Sequence, residues 1–410
     1  MQNNQKIPEG WSVKKLGECF SFLKTPSYSR AETTDSGLVH YIHYGDIHTK
    51  YPLHVSPTDI DIFISEDQAQ KGDFLQTGDL ILLDASEDYE GTTKCIELIN
   101  VGSHNKVISG LHTLALRDDA NNFADGFRAY ITSMPFVKDL FWKQVSGFKV
   151  YGISKDNLKK IKILLPPLPE QEKIALVLGT WDEAIEKLSG LIEQKKLLKK
   201  GLMQELLTGK TRLPGFTQPW KEVKLGSVLE SISRRNKNLN TTRVLSVTNS
   251  RGFVLPEEQF ARVVASEDLS NYKIVKKGEF AYNPSRLNVG SIDRLDNFTD
   301  GVLSPMYVIF KCNEQLLSDY MKHWITTTEF NSKVRNSAQG SVRETVDFKT
   351  LSTIKIRLPS DITEQHAIAD ILSTADDEIN LLNQKLEAIK EQKKGLMQQL
   401  LTGQIRAKVN

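Results

Sequence analysis

A long internal repeat restricts the folds open to this chain more than any other feature of the sequence. The run GLMQELLTGKTRL that starts at Gly201 returns as GLMQQLLTGQIRA at Gly395, and the same offset of 194 positions holds upstream to PEQEKIA and TEQHAIA. A second match joins WSVKKLG at Trp11 to WKEVKLG at Trp220, 209 positions later. The chain is therefore a tandem duplication, in which each half runs from a Trp-Leu-Gly start through a variable middle to a shared helical end.

The two middles differ in sequence but share a plan. TGDLILLDASEDYEGTTKC in the first half parallels KGEFAYNPSRLNVGSIDR in the second: each has a turn with a glycine and an acid, a short apolar strand, a polar loop with a glycine, and another strand. Together with helical patterns such as DYMKHWITTTEF, this predicts an α+β fold with two mixed α/β domains at residues 1–165 and 214–359. Residues 166–213 and 360–410 are predicted to be helical segments.

Both helical segments carry an apolar stripe. Apolar residues recur at alternating spacings of four and three, over about 35 residues or roughly 50 Å of helix. The stripe residues expected at a helix–helix or partner interface are Ile174, Leu178, Trp181, Ile185, Leu188, Ile368, Leu372, Ile379 and Leu382. We favour an antiparallel coiled coil over two helices that each lie on their own domain, because the heptad pattern persists over several turns. Lys199 and Lys393 fall on the stripe, so we expect the seam to open there or the lysines to reach outward.

The composition is that of a soluble globular protein, with 39% hydrophobic and 25% charged residues and a net charge of +2. No apolar run approaches the roughly 20 residues of a membrane helix, and MQNNQKIPEGW lacks the apolar core of a signal peptide, so a cytoplasmic location is expected. Cys19, Cys95 and Cys312 are far apart and predict neither a disulfide framework nor a zinc site. The small net charge leaves room for local basic patches only.

The string TGKT at residues 208–211 suggests a phosphate-binding loop, but the requirements of such a loop are not met. Position 204 needs a glycine and is Gln204, and the second copy has Gln404 where the first has the lysine. Gly209 and Gly403 are better explained as the residues that let the chain turn out of a helix.

Other catalytic motifs are also incomplete. YNPSR at residues 282–286 has a serine where an adenine methyltransferase requires a second proline, and Glu-x-Lys strings such as residues 193–195 lie inside helices rather than beside a nuclease metal site. Four crowded histidines show no regular ligand spacing and are interpreted as loop residues that could touch DNA: His40, His43, His48 and His54. We expect neither catalysis nor a cofactor or metal in this chain.

These segments resemble a known family. Two variable domains, each followed by segments such as LPPLPEQEKIALVLGTWDEAIEKL and GLMQELLTGKTRL, are similar to the specificity subunit of type I restriction-modification enzymes. The resemblance spans nearly the whole chain and depends on the Pro-x-x-Glu-Gln start of the helix, its Leu-Met-Gln-x-Leu-Leu-Thr-Gly end and the duplication. In the second copy LPSDITEQH lacks the double proline and has one extra residue. The resemblance therefore does not fix the turn before this helix, whereas the helix itself is still expected.

The resemblance implies a DNA-reading subunit that is not itself an enzyme. Each middle would be a target recognition domain for one half of a split, asymmetric site in double-stranded DNA, and the paired helices would set the spacing between the halves. Two methyltransferase subunits, using S-adenosylmethionine, and restriction (motor-nuclease) subunits, using ATP and Mg, would be the partners. Host defence in a bacterial or archaeal cytoplasm would be the setting.

The second half supplies the groups that DNA recognition needs. Arginine bridges guanine O6 and N7, asparagine bridges adenine N6 and N7, and cations neutralise phosphate. The candidates are Arg234, Arg235, Lys237, Asn249, Arg251, Arg286, Asn288 and Arg343. Singly, each is also explained as a solvated surface residue; their concentration in loops at strand ends favours the functional interpretation.

The first half is built differently. LDASEDYEG aligns with the basic loop NPSRLNVG but is acidic. Two alternatives stay open: one of its residues accepts a hydrogen bond from cytosine N4, or the loop faces away and HYGDIHTK and SGFKVYG make the contacts. The candidates are His43, Tyr44, His48, Ser86, Lys149 and Tyr151. The difference between the halves predicts a non-palindromic target.

Two other functions stay open. The chain could be a scaffold whose helices join two domains that bind something other than DNA, and DNA binding that falls steeply with salt would oppose that function. It could also be the specificity subunit of a modification-only system, without a nuclease.

Overall fold

The computed structural model describes residues 7–87, 91–147, 150–259, 268–338 and 345–409. The chain divides into two compact units: unit 1 consists of Met1–Ser189 and Lys385–Asn410, and unit 2 of Gly190–Gln384. Each unit therefore combines one variable domain with parts of both helical segments, whereas the sequence suggests four consecutive segments.

Unit 1 is built around a five-stranded sheet whose two faces are both buried. Its strand order is Ser21–Phe22, Thr113–Arg117, Leu80–Leu83, Cys95–Leu98 and His54–Val55. Successive side chains of a strand point to opposite faces, so Leu80 and Leu82 join one core cluster and Ile81 and Leu83 join another. Burial on both faces explains the uninterrupted apolar run LILL.

Smaller sheets complete unit 1. Phe63–Ile64, Val39–Ile42 and Lys106–Ser109 form a three-stranded sheet in that order, Tyr151–Gly152 pairs with Ala85–Ser86, and Ser12–Lys15 pairs with Lys162–Leu165. The parallel pairs are Val39–Ile42 with Lys106–Ser109 and His54–Val55 with Cys95–Leu98; the other pairs are antiparallel.

Unit 2 repeats the same plan with a smaller sheet. The order of its four-stranded sheet is Leu229–Ile232, Val308–Cys312, Phe280–Tyr282 and Ile292–Arg294. The two-stranded antiparallel pairs are Trp220–Lys224 with Lys355–Pro359, Ser246–Thr248 with Gly252–Val254, and Lys273–Lys276 with Asp300–Leu303. Again Phe280 and Tyr282 face one cluster while Ala281 faces another.

The correspondence predicted between the two middles is confirmed. The strands on either side of the polar loop pair antiparallel with each other in both units, Leu80–Leu83 with Cys95–Leu98 and Phe280–Tyr282 with Ile292–Arg294. In both units the strand at the Trp start, Ser12–Lys15 or Trp220–Lys224, also pairs with the strand that precedes the helical segment. The mixed α+β architecture follows from this shared strand plan.

Two long helices dominate the helical content. The helices are Leu16–Cys19, Tyr44–Thr49, Glu66–Ala69, Pro135–Gln144, Lys155–Lys159, Leu168–Leu206, Pro256–Gln259, Ser318–Trp324, Thr328–Ala338, Phe348–Thr353 and Ile362–Leu401. We name Leu168–Leu206 the central helix and Ile362–Leu401 the distal helix; they have 39 and 40 residues, slightly more than expected. No helix in the described ranges is long and apolar enough to cross a membrane.

Within unit 1 the two helices run antiparallel. Ile174 and Leu178 of the central helix share a core cluster with Leu400 and Leu401 at the end of the distal helix. Further along, Asp182 forms an ion pair with Lys393. As the numbers rise on one helix they fall on the other, as in an antiparallel pair.

Unit 2 contains the equivalent arrangement with the roles exchanged. Ile368 and Leu372 of the distal helix pack with Leu206 of the central helix. Lys199 donates to Asp376 across 2.5 Å. The antiparallel coiled coil predicted from the heptads is therefore present in each unit.

One of the two alternatives for the stripe lysines, that they reach outward, was wrong. The side chains of Lys199 and Lys393 are only 18% and 10% exposed, so they do not reach into solvent. An aspartate on the facing helix neutralises each charge, which removes the reason for the lysine to leave the interface.

Each unit contains a hydrogen-bonded cluster of a glutamate, a tryptophan and an arginine. In unit 1, Glu170 accepts hydrogen bonds from Trp11 Nε1 at 2.9 Å and from Arg406 Nε and Nη2, both at 2.7 Å. In unit 2, Glu364 accepts from Trp220 Nε1 and from Arg212. These residues come from the three repeated motifs, so the clusters explain why the Trp start, the Glu-Gln pair and the run after the helix recur together.

The prediction that TGKT is a helix exit is confirmed. The central helix ends at Leu206, and Gly209 has a φ of +69° with the Trp220 ring 3.1 Å from where a Cβ would stand. A side chain at position 209 would meet both left-handed backbone strain and a steric clash. Lys210 pairs with Glu205 instead of facing a phosphate loop.

Candidate nucleic-acid interface

A cleft of about 750 Å³ opens on the variable domain of unit 1. Its lining residues are Tyr44, His48, Thr49, Ala85, Ser86, Glu87, Lys94, His112 and Val150. Three sequence candidates, Tyr44, His48 and Ser86, thus meet in one place. The acidic segment and the HYGDIHTK segment line the same cleft, so the two alternatives that the sequence left open for unit 1 converge on a single surface.

Tyr44 packs against two aromatic neighbours. The ring centroids of His43 and Tyr44 are 4.5 Å apart, and those of Tyr44 and His112 are 5.3 Å apart at nearly right angles. His43 is buried and caps the Tyr44–Thr49 helix, where its Nδ1 accepts a hydrogen bond from the Gly45 amide at 3.1 Å. Burial, assisted by the positive charge of Arg30, lowers the pKa of His43. The capping hydrogen bond therefore holds the buried His43 ring beside Tyr44.

His112 also lines the cleft and was missed in the sequence. Its φ is +57°, a left-handed conformation that is uncommon outside glycine. Its Nδ1 lies 3.2 Å from Asp84 Oδ1, and about half of the side chain is exposed. Strained residues of this kind cluster at binding sites, but no local pattern in the sequence marks a histidine that will adopt this backbone conformation.

Gly91 lets Ser86 and His48 pack close to the backbone beside the cleft. A Cβ at this position would lie 2.2 Å from Ser86 Oγ and 2.5 Å from His48 Cε1, so any larger residue would push the two candidates apart. Ser86 is buried and pairs through its strand with Tyr151. Lys94 Nζ donates to the His48 carbonyl at 2.8 Å, which brings a positive charge to the rim.

The remaining first-half candidates have other positions. Tyr151 is half-buried on the strand beside Ser86, and Lys149 lies outside the described residues. His40 and His54 contact the carbonyl oxygens of Ile60 and Gly126, both at 2.9 Å. In the described ranges no group of three or more His, Cys, Asp or Glu side chains is arranged to hold a metal.

In unit 2 a turn and a loop with candidate residues lie side by side. Asn249 and Arg251 are exposed in the turn between two short strands, and the Asn249 Cβ lies 3.9 Å from where a Cβ of Gly290 would stand. Ser291 Oγ donates to the Val247 carbonyl at 2.7 Å and joins the loop to the strand before the turn. Arg286 is exposed and Asn288 half-buried in this loop. The surface therefore brings arginine and asparagine groups together.

The segment with Arg234, Arg235 and Lys237 is divided in its roles. Arg234 forms an ion pair with Glu279, whose side chain is 11% exposed, so its charge is used within the fold. Arg235 is exposed and donates to the Asn271 carbonyl at 2.6 Å, and Lys237 is exposed. Arg235 and Lys237 are thus better placed than Arg234 to meet a ligand. Arg343 lies outside the described residues.

Tyr307 links the basic segment at 234–237 to the strand before the turn that contains Asn249. Arg235 and Lys273 are bridged antiparallel through their backbones, and Lys273 Nζ donates to the Tyr307 carbonyl at 2.6 Å. The Tyr307 hydroxyl accepts from the Val247 amide at 3.4 Å, immediately before the turn with Asn249. These contacts connect the basic segment at 234–237 with the strand before that turn. Lys273 was not among the sequence candidates.

The helix-stripe candidates are mostly buried. Ile174, Leu178, Leu188, Ile368, Leu372 and Ile379 are buried, and Trp181, Ile185 and Leu382 are half-buried. Burial of the aliphatic members agrees with a packing role; the half-buried residues retain surface that a partner could contact.

Comparisons with known proteins agree with this architecture. The sequence pattern of the family described as "Type I restriction modification DNA specificity domain" matches residues 8–195 and 303–391. Two proteins of Methanocaldococcus jannaschii, the putative type I restriction enzyme MjaX specificity subunit and the type I restriction enzyme MjaVIII specificity subunit, are each 25% identical, over 98% of this chain and 95% of their own.

Two solved structures have a similar fold. The S subunit of a type I restriction-modification system from M. genitalium matches with a TM-score of 0.61 and 14% identity, over 98% of both chains. A chain solved in work on assembly and conformational transition of the type I system matches with a TM-score of 0.55 and 14% identity, over 98% of this chain and 100% of that one. Since the family pattern covers more than half of its length, the chain belongs to the family of type I restriction-modification DNA specificity proteins.

Proposed function

We propose that this chain binds double-stranded DNA as the specificity subunit of a type I restriction-modification complex, and that each variable domain reads one half of a split, asymmetric site. The proposal depends on one observation: the two units have the same arrangement of strands and long helices but present different side chains on their surfaces. Unit 1 presents a cleft with histidine, tyrosine, serine and acidic groups, and unit 2 presents arginine and asparagine side chains. Two different surfaces on matching frames suit two different half-sites.

The surface of unit 2 has the chemistry for reading base edges. Arg286 and Asn249 belong to the residue types that make bidentate contacts with guanine and adenine, and both are exposed. Arg235 and Lys237 lie on a connected segment and suit phosphate contacts. In unit 1, Ser86, His48 and Glu87 offer donors and acceptors, and Lys94 supplies a charge for the backbone.

The long helices would carry the partners and set the spacing between half-sites. Exposed leucines of the central helix, Leu191, Leu197 and Leu198, are 39%, 68% and 58% exposed and provide apolar surface for a partner subunit. We expect two methyltransferase subunits and the restriction subunits as partners, in the cytoplasm. Methylation with S-adenosylmethionine and cleavage with ATP and Mg would take place in those partners, and this chain would contribute recognition without catalysis.

A genome-wide map of N6-methyladenine in host cells, with the gene intact and deleted, tests the proposal. Loss of one split, asymmetric motif on deletion is the expected result, and the lost motif would identify both half-sites and their spacing. Loss of a palindromic or continuous motif would contradict the two-half plan. An unchanged map, together with an absence of salt-sensitive DNA binding by the purified chain, would refute DNA recognition.

A further inference from the structure

One loop of unit 2 holds an exposed leucine in a conformation that leucine rarely adopts. Leu239 has a φ of +52° and is 52% exposed. Residues other than glycine, asparagine and aspartate seldom occupy the left-handed region, because their Cβ crowds the backbone. Asn238 and Asn240, on either side, belong to the types that accept this conformation more readily, yet the leucine occupies it.

The loop around Leu239 is held by specific hydrogen bonds. The Leu239 amide donates to the Asn236 carbonyl at 2.9 Å. The buried side chain of Asn236 binds both backbone groups of Thr241, with Nδ2 donating to the carbonyl at 2.8 Å and Oδ1 accepting from the amide at 3.3 Å. Residues 237–240 project from this closed base and are all exposed. The hydrogen-bonded turn thus exposes Leu239 to solvent.

Neither the backbone nor the core explains a leucine at this position. A left-handed site is best filled by glycine or asparagine, and a core residue would be covered. In the described part of residues 214–359, the large hydrophobic side chains that stand open to solvent are Leu239, Val289 and Met306. All three lie on or against segments with DNA candidates: Val289 follows Asn288, and Met306 Sδ lies 3.8 Å from Asn283 Nδ2.

The charges around the loop fit a nucleic acid. Lys237 lies on the loop itself, and the exposed Arg235 and Arg243 flank it. Proteins that kink DNA insert apolar side chains, leucine among them, between base pairs while neighbouring cations hold the phosphates. An exposed leucine at the tip of a basic loop has this combination of features.

We propose that Leu239 is a wedge that inserts between base pairs at the half-site read by unit 2, unstacks one base step and bends the duplex. The proposal rests on the DNA recognition proposed above and adds a distortion to it. Specificity at this half-site would then depend partly on how easily the step deforms, as well as on hydrogen bonds to bases.

The test uses the full chain and duplexes that it selects from a random-sequence library. A duplex with 2-aminopurine at successive positions reports unstacking as a rise in fluorescence, and a dye pair at its ends reports bending. The variant Leu239→Asn keeps the backbone conformation and removes the wedge. We expect an unchanged or raised melting temperature, loss of the fluorescence rise and of the bend, and binding weaker by roughly tenfold.

Two matched variants separate the wedge from other effects. Lys237→Ala should weaken binding and reduce its salt dependence while the fluorescence rise persists at saturating protein. Leu381→Ala removes a leucine that is 66% exposed on the distal helix and should leave DNA binding and distortion unchanged. A fluorescence rise and bend that persist in Leu239→Asn would overturn the wedge but leave DNA recognition intact. Failure of the wild-type chain to select any duplex would overturn both proposals.

Discussion

Arg212 donates two hydrogen bonds to Glu364, at 2.6 Å from Nε and 2.8 Å from Nη2, across 152 residues of sequence. Glu364 is fully buried, whereas Arg212 is 29% exposed. The same pair recurs in unit 1 as Arg406 and Glu170, where burial opposes ionisation but hydrogen bonds from Arg406 and Trp11 hold the pKa of Glu170 below its usual range. An arginine just beyond each long helix thus neutralises the carboxylate at the start of the other.

Removing the arginine of this pair should destabilise the protein measurably. Arg212→Ala leaves the carboxylate of Glu364 buried without its cation, and we expect the free energy of unfolding to fall by about 3 kcal/mol, measured by denaturant titration. Lys210→Ala is the matched control two residues away, because Lys210 faces the solvent-accessible Glu205 and should change stability too little to resolve. Equal effects of the two variants would contradict a special role for the buried pair.

The helix–helix ion pairs should be energetically coupled. In unit 1, Asp182 faces Lys393 and also accepts a hydrogen bond from the Tyr130 hydroxyl at 2.6 Å. A double-mutant cycle with Asp182→Asn and Lys393→Met should show a coupling energy of about 1 kcal/mol or more. The parallel cycle on the exposed pair Glu183 and Lys187 should show no measurable coupling. A coupling energy near zero between Asp182 and Lys393 would show that their ion pair does not stabilise the helix–helix interface.

His323 should make the stability of unit 2 depend on pH. Burial, with the positive charge of Lys199 adding to it, lowers the pKa of His323 from 6.5 to about 4, although Asp376 acts in the opposite direction. The unfolded chain therefore binds the proton first as the pH falls, and stability is lost between about pH 6.5 and pH 4, with a slope of roughly 1.4 kcal/mol per pH unit. The contribution is fully present above pH 6.5.

Unfolding titrations of wild type and His323→Gln at several values between pH 7 and pH 4.5 measure this effect. The variant should show a flatter dependence of the unfolding free energy on pH. His366→Gln is the control, because His366 is exposed on the distal helix and its removal should leave the curve unchanged. Parallel curves for wild type and His323→Gln would show that other groups cause the loss of stability in acid.

Arg234 and Arg286 should behave differently although the sequence marks both as DNA candidates. Arg234→Ala removes the charge that the largely buried Glu279 faces and should lower the free energy of unfolding by about 1 to 2 kcal/mol. Arg286→Ala removes an exposed side chain and should leave stability unchanged while it weakens binding to a duplex that carries the target site. The measurements are thermal unfolding and fluorescence anisotropy on both variants. A binding defect without loss of stability in Arg234→Ala would reverse this assignment.

Exchange of one variable domain should change one half-site. Replacement of residues 214–359 by the corresponding region of another member of the family is expected to alter one half of the methylated motif, because this segment carries the surface proposed to read DNA in unit 2 but little of the two long helices. Methylation mapping of the host provides the measurement. A change in both halves would contradict the assignment of one half-site to each variable domain.

The repeat and the helices could be predicted because both are visible in the order of the residues. Matching of the two copies identified the segments around Glu170 and Glu364, and the spacing of apolar residues identified the helices. The partners of Arg212, Arg234 and Lys199 could not be predicted, since ion pairs between distant segments leave no periodic signal.

Part of each candidate surface was likewise beyond sequence reasoning. Tyr44, His48 and Ser86 were named from residue type, but their meeting in one cleft depends on Gly91 and on a three-dimensional arrangement of strands. His112 escaped notice because its left-handed backbone follows from its surroundings. Leu239, by contrast, left a visible signal, a single apolar residue in the polar run NKNLNTT.

The composition of unit 1 from two separated stretches of chain has a consequence for biosynthesis. Leu400 and Leu401 belong to the same core cluster as Leu16 and Phe20, so the domain that leaves the ribosome first lacks part of its interior until the last helix has been made. Unit 2, which is one continuous stretch, can complete its core earlier. The order of synthesis and the order of completion are therefore reversed, and a chain released before residue 400 has been added would still expose apolar surface in unit 1 although unit 2 has all of its residues.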